Sequence, residues 1–133
     1  MARWAIRGGI GLVAVLVAAV LFFSLFNPPT TIYMASESRR LGGVEQEWVD
    51  FENVAPVMAR SIVAAEDANF CLHWGFDMGE IRRAIDAGGQ RGASTISQQT
   101  VKNVYLWQGR SWPRKALEGV LTPLVETLSL IHI

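Results

Sequence analysis

From Gly8 to Ser36 the chain carries no charged side chain, and Ile10 to Phe26 (IGLVAVLVAAVLFFSLF) is apolar apart from Gly11 and Ser24. With Gly8 and Gly9 the run is about 19 residues, roughly 28 Å as an α-helix, which matches the hydrocarbon core of a bilayer. Arg3 and Arg7 precede it and no Lys or Arg follows before Arg39, so the positive-inside rule places the N-terminus in the cytoplasm and the remainder outside. Trp4 and Tyr33 fall where interfacial aromatics sit. The competing reading is a cleaved signal peptide, but the run exceeds the usual apolar core of one and no small-x-small cleavage site follows. Asn27-Pro28-Pro29 should end the helix, because proline lacks the backbone donor and drives its predecessor out of helical geometry.

This assignment leaves only about 100 of the 133 residues for a folded domain. Formal net charge is zero, which speaks against a nucleic-acid partner and against a polybasic membrane-surface protein. The distribution says more: Glu37 to Glu80 is dominated by carboxylates, whereas Arg82, Arg83, Arg91, Lys102, Arg110, Arg114 and Lys115 then stand against Asp86 alone. This pattern fits either two solvated faces or a site where carboxylates do chemistry beside cations that hold an anion. The single cysteine, Cys71, cannot close an internal disulfide and reads as packing, as do Met58 and Met78.

Leu41 to Phe51 reads as extended or irregular. Asn53 to Ala65 (NVAPVMARSIVAA) reads as a helix with Asn53 as cap and Pro56 in the first turn, and it delivers Glu66-Asp67 at its C-terminal end. A second helix begins at Asp77, with Asp77 and Glu80 at capping-box spacing, and stops at Gly88-Gly89. A third starts at Ser94 or Thr95 and runs to about Tyr105. After a turn at Trp107 to Arg110, Ser111 caps a fourth helix. It carries Pro113 in its first turn, an apolar stripe of Ala116, Leu117, Val120, Leu121, Leu124 and Val125, and a proline, Pro123, that should kink it. The soluble part is therefore mainly α.

Three clusters carry candidate chemistry. Glu66 ends an apolar helix beside Asp67 and shortly before His73; desolvation and like charge there suit a carboxylate to act as a general base, although a solvated helix end has the same sequence. Gly92 to Asn103 (GASTISQQTVKN) sets Ser94, Thr95, Gln98 and Gln99 at a helix start, where unpaired amides favour an anion, with Lys102 and Asn103 farther along. The spacing is not that of a nucleotide-binding P-loop. Arg114, Lys115 and Glu118 share one helix face, either as an ordinary ion-pair cluster or as a phosphate site in which the glutamate helps to hold a metal.

Together, EDANFCLHWG, GASTISQQTVKN and RKALE resemble three successive signatures of the family 51 glycosyltransferases, over roughly Pro56 to Thr127. The Trp-rich connection YLWQGRSWPRKALE looks most like the monofunctional branch of Gram-negative bacteria. The resemblance implies a peptidoglycan glycosyltransferase with a lysozyme-like, mostly helical fold that polymerises lipid II into β-1,4-linked glycan with inversion and releases polyprenyl pyrophosphate. It implies Glu66 as general base, and Glu118 as the second family carboxylate and a metal ligand, the metal being Mg2+ or Mn2+. Asp67 and His73 would order the base. Ser94, Thr95, Gln98, Gln99 and Asn103 would line the donor side, and Lys102, Arg114 and Lys115 would hold the phosphates. Its partners would be lipid II, the lipid-linked growing strand, the inner membrane and the division or elongation machinery.

The expected organisation is residues 1–35 as cytoplasmic N-terminus and anchor, 36–127 as a partial glycosyltransferase domain, and 128–133 (LSLIHI) as a non-native tail unlike the family's continuation. Two other classes compete: a membrane-anchored scaffold without catalysis, and a lysozyme-like lytic enzyme with Glu66 as general acid. The basic block around Lys102 and Arg114 disfavours the latter, because cleavage of a neutral glycosidic bond leaves no pyrophosphate to hold.

Overall fold

The computed structural model describes residues 2–89, 91–109 and 111–129. All the regular structure in them is helical: α1 (Ala2–Leu25), α2 (Ile32–Leu41), α3 (Pro56–Glu66), α4 (Met78–Asp86), α5 (Ile96–Tyr105) and α6 (Trp112–Leu128), with 3-10 turns at Phe51–Asn53 and Phe70–Leu72. The expected mainly α class is borne out. Arg110 and the residues after Ser129 lie outside the described set, and with them part of the expected turn and most of the expected tail.

Within α1, Ile6–Leu25 is long and apolar enough to cross a membrane, and only 6% of that stretch is buried by the rest of the chain. The helix ends just before Asn27-Pro28-Pro29, as proline chemistry requires. A new helix, α2, follows at once, and the sequence reading left it out. Its signals are local: Thr31 Oγ1 accepts from the Met34 amide at 3.1 Å, Arg39 and Arg40 occupy the last turn, and Gly42 closes it in the left-handed region at φ 80°. The irregular stretch after it folds back on the junction, where the Trp48 indole donates to the Pro28 carbonyl at 3.1 Å.

The core is small. Val20 of α1 meets Val101 and Leu106 at the α5 end and Leu121 and Val125 of α6, with Leu16, Tyr105, Leu117, Leu124 and Leu128 packed around them. Each of these buried aliphatic side chains contributes about 1.5–3 kcal/mol, so the apolar helix is fastened to the domain at Val20 while most of its surface stays uncovered. α5 packs along α6, α1 lies against α6, and α2 lies against α5.

Several local expectations shift. α3 starts at Pro56 with Ala55 in the cap position; Asn53 is held in the preceding 3-10 turn and caps nothing. Ser111 occupies its cap position without a side-chain bond to the helix. Cys71, Met58 and Met78 are exposed instead of packed, since so short a domain has little interior to receive them. Val120 is exposed as well. The buried face of α6 is Glu118, Leu121, Thr122, Val125 and Glu126, a face that mixes two carboxylates with the apolar stripe.

Candidate functional site

Glu66 and Asp67 stand where α3 ends, and the two neighbours face different worlds. Glu66, the last helical residue, is exposed at the edge of a cleft of about 470 Å³, whose lining also includes Asp67, Asp77, Arg91, Ser94, Thr95 and Gln99. Asp67 is 7% exposed and ties the loop together. Its Oδ1 lies 2.8 Å from His73 Nε2, which donates, and its Oδ2 accepts the first amide of α5, Ile96 N–H, at 3.0 Å. Glu66 and Asp67 are thus separated by one peptide: one meets solvent, the other fixes α3 against the start of α5.

That start is built by a complete capping box. Thr95 Oγ1 accepts from the Gln98 amide, and Gln98 Oε1 accepts from the Thr95 amide at 3.1 Å, an arrangement worth about 1 kcal/mol. The Thr95 hydroxyl also donates to the Gly75 carbonyl at 2.6 Å. Gly75 has φ 79°, and a Cβ there would lie 2.6 Å from Thr122 Cγ2 and 2.9 Å from Glu126 Cγ, so only glycine lets this loop meet α6. Glu126 is buried and hydrogen-bonded by the Ser97 hydroxyl.

Gln98 and Gln99, adjacent on α5, project about 100° apart and serve opposite sides. Gln99 Nε2 donates to Glu66 Oε2 at 3.0 Å. Gln98 Nε2 donates at 3.3 Å to Oε1 of Glu118, which is 3% exposed. Lys115 Nζ also bonds Glu118 Oε1, and Arg114 reaches Oε2 at 3.3 Å. The two carboxylates singled out from the sequence are therefore coupled through neighbouring amides of one helix. Glu66 is open to the cleft; Glu118 is buried between cations and leaves the cluster one net positive charge.

The remaining sequence candidates fall outside these two clusters. Lys102 is half-buried and forms no ion pair among the described residues, and Asn103 is exposed. Ser94 is exposed on the cleft wall and caps nothing.

The sequence reading missed other parts of the site. Asp77 faces the cleft and caps α4 through the Glu80 amide at 2.9 Å, while Glu80 turns away from the reciprocal bond to pair with Arg83 and Arg91. The Asn69 amide, 2.7 Å away, and the Glu80 N–H hold the Asp77 carboxyl below the usual carboxylate range. The line Glu118, Thr122, Glu126 was visible as a polar i, i+4, i+8 series on an otherwise apolar helix, and it marks the face that meets α5 and Gly75.

A divalent metal at Glu118, as the resemblance implies, does not fit this donor set. Both carboxylate oxygens are engaged, and two of their three partners are cations against which a dication would be repelled.

Comparison with known proteins agrees with these motifs. The family model described as Transglycosylase matches residues 34–129. The biosynthetic peptidoglycan transglycosylase of Jannaschia sp. (strain CCS1) is 60% identical over 126 residues, covering 95% of this chain and 53% of that protein. The protein of the same name from Yersinia pestis (strain Pestoides F) is 41% identical over 139 residues, covering 94% of this chain and 57% of its own length. The chain spans about half the length of the curated relatives it matches.

Proposed function

The chain belongs to the transglycosylase family, and from that premise we propose that it supplies the first catalytic half of a peptidoglycan glycosyltransferase, anchored by α1 in the inner membrane with residues 36–127 on the outer face. Its substrate is lipid II, and the product is a β-1,4-linked strand with release of polyprenyl pyrophosphate. The observation that carries this reading is the pairing of an exposed carboxylate, Glu66, with the cations Arg114 and Lys115 gathered on the buried Glu118, joined through Gln99 and Gln98 of α5.

Glu66 suits the base. Its carboxylate is oriented by Gln99 yet accessible from the cleft, so it can accept the proton of an incoming sugar 4-hydroxyl as that oxygen attacks the anomeric carbon from the face opposite the leaving group. Inversion follows from this single displacement. Negative charge then builds on the departing pyrophosphate, and fixed cations stabilise it without reorganising. Arg114 and Lys115 suit this because Glu118 fixes their heads while cancelling only one of their two charges. The resemblance of the Trp-rich connection favours the monofunctional branch.

The test is polymerisation of labelled lipid II in detergent. Three proteins are compared: this chain, this chain joined to the segment its relatives carry beyond the matched region, and the joined chain with Glu66→Gln. Glycan from the joined chain and none from its folded Glu66→Gln variant is the expected result. Equal polymer from both would remove Glu66 as the base, and no polymer from the joined chain would move the scaffold reading to the front.

A further inference from the structure

The geometry points to a divalent-cation site formed by Asp67, His73 and Asp77, separate from Glu118 and beside Glu66 on the wall of the same cleft. One ligand atom from each of the three lies within 4.8 Å of the others, and theirs is the one trio of this kind among the described residues.

Charge balance is the first argument. Asp67 and Asp77 are both buried, and neither forms an ion pair with Lys or Arg among the described residues. Arg91, on the same cleft wall, is engaged by Glu80 at 3.3 Å. Two carboxylates around one imidazole carry net −2 when the ring is neutral and −1 when it is protonated. A dication on the neutral ring brings the cluster to zero, which a buried site favours.

Preorganisation is the second. Asp67 is oriented by the Ile96 amide, and Asp77 by the Glu80 amide and the Asn69 side chain, so both carboxylates already have the outer partners that orient metal ligands. The His73 side chain is 8% exposed and packs edge-on against Phe70, and its Nδ1 has no hydrogen-bond partner among the described residues, so Asp67 is the one polar group that orients the ring. Ligands of a tetrahedral ion with bonds of about 2.0–2.2 Å sit roughly 3.3–3.6 Å apart, so the Asp67–His73 pair at 2.8 Å must open slightly while any separation near the 4.8 Å limit closes by about 1 Å.

One imidazole with two carboxylates selects a first-row transition dication such as Zn2+ or Mn2+ over Ca2+. Binding puts the metal in place of the proton between His73 Nε2 and Asp67 Oδ1, and the ring stays neutral by carrying that proton on Nδ1 instead. Because Asp67 and Asp77 line the cleft, water completes the shell from that side. Such an ion would clamp the end of α3 and the start of α4 to the first turn of α5.

Co2+ is the probe, added to the chain in detergent micelles after chelator treatment. The expected result is visible ligand-field absorption that saturates at a single equivalent, together with a higher melting temperature. His73→Gln should abolish the bands. Asp77→Asn, which keeps an acceptor for the Glu80 amide and so spares the helix cap, should weaken binding by more than about 10-fold. Glu118→Gln should leave the spectrum unchanged. A folded wild type without the bands, bands that persist at equal affinity in Asp77→Asn, or bands that vanish in Glu118→Gln would each overturn the site. Since the readout is spectral, it succeeds or fails whether or not the chain polymerises lipid II.

Discussion

Replacing Gly75 by alanine probes how the His73–Asp77 loop is seated on α6. Two costs arise. An L-residue in the left-handed region at φ 79° costs about 1–2 kcal/mol. The new methyl group then meets Thr122 Cγ2 at 2.6 Å and Glu126 Cγ at 2.9 Å, and overpacking of this kind costs about 1–3 kcal/mol more. Gly88→Ala is the matched control: φ is 73°, but nothing lies within 4 Å of the added Cβ, so it carries the conformational cost alone. Thermal unfolding in detergent, followed by circular dichroism, should therefore show a loss of about 2–5 kcal/mol for Gly75→Ala against about 1–2 for Gly88→Ala. At about 4–8 °C per kcal/mol for a domain of this size, the two variants should melt well apart. Equal losses would mean that Thr122 and Glu126 yield freely, and the interlock between loop and helix would be wrong.

Gln99→Leu removes the donor that orients Glu66 and should lower the polymerisation rate of the joined chain about fivefold, roughly 1 kcal/mol, with little change in melting; an unchanged rate would show that the amide does not position the base. Glu118→Ala leaves the Arg114 guanidinium, whose side chain is 12% exposed, without its carboxylate and should cost about 3 kcal/mol. Adding Arg114→Met should recover much of that loss, and strictly additive melting shifts would refute the coupling. Burial raises the Tyr105 phenol above its ordinary value. The neutral form is favoured in the fold, so stability is full below about pH 10 and falls as pH climbs from there through the raised value. Tyr105→Phe should abolish both that alkaline loss and the late component of phenolate absorbance.

Where elements begin and end was largely legible, because those signals are local. The proline pair after Asn27 stops α1, Thr95 and Gln98 build the cap of α5, and Asp77 starts α4. α2 carries equally local signals in its Thr31 and Gly42 caps, but none of its residues is buried, so no apolar stripe marks it in the sequence. The three motif blocks singled out Glu66, Glu118, Arg114 and Lys115, but not that Gln99 would reach the first and Gln98 the cluster of the other three. Periodicity could not say that Glu66 would be open and Asp67 buried, since both end one helix and differ only in which way the chain turns after it.

A membrane-length apolar helix, a mainly helical domain and a set of charged motifs are each encoded in contiguous stretches of chain. Tertiary structure alone decided that Gln98 and Gln99 reach different carboxylates, that Gly75 must stay bare against Thr122 and Glu126, and that Asp67, His73 and Asp77 converge. The first two depend on separations of about 20 to 50 residues being closed by packing of α3, α5 and α6, the third on a loop whose ends are tied by Asp67 to α5 and by Asp77 to α4, and no local propensity encodes the distance at which such segments meet.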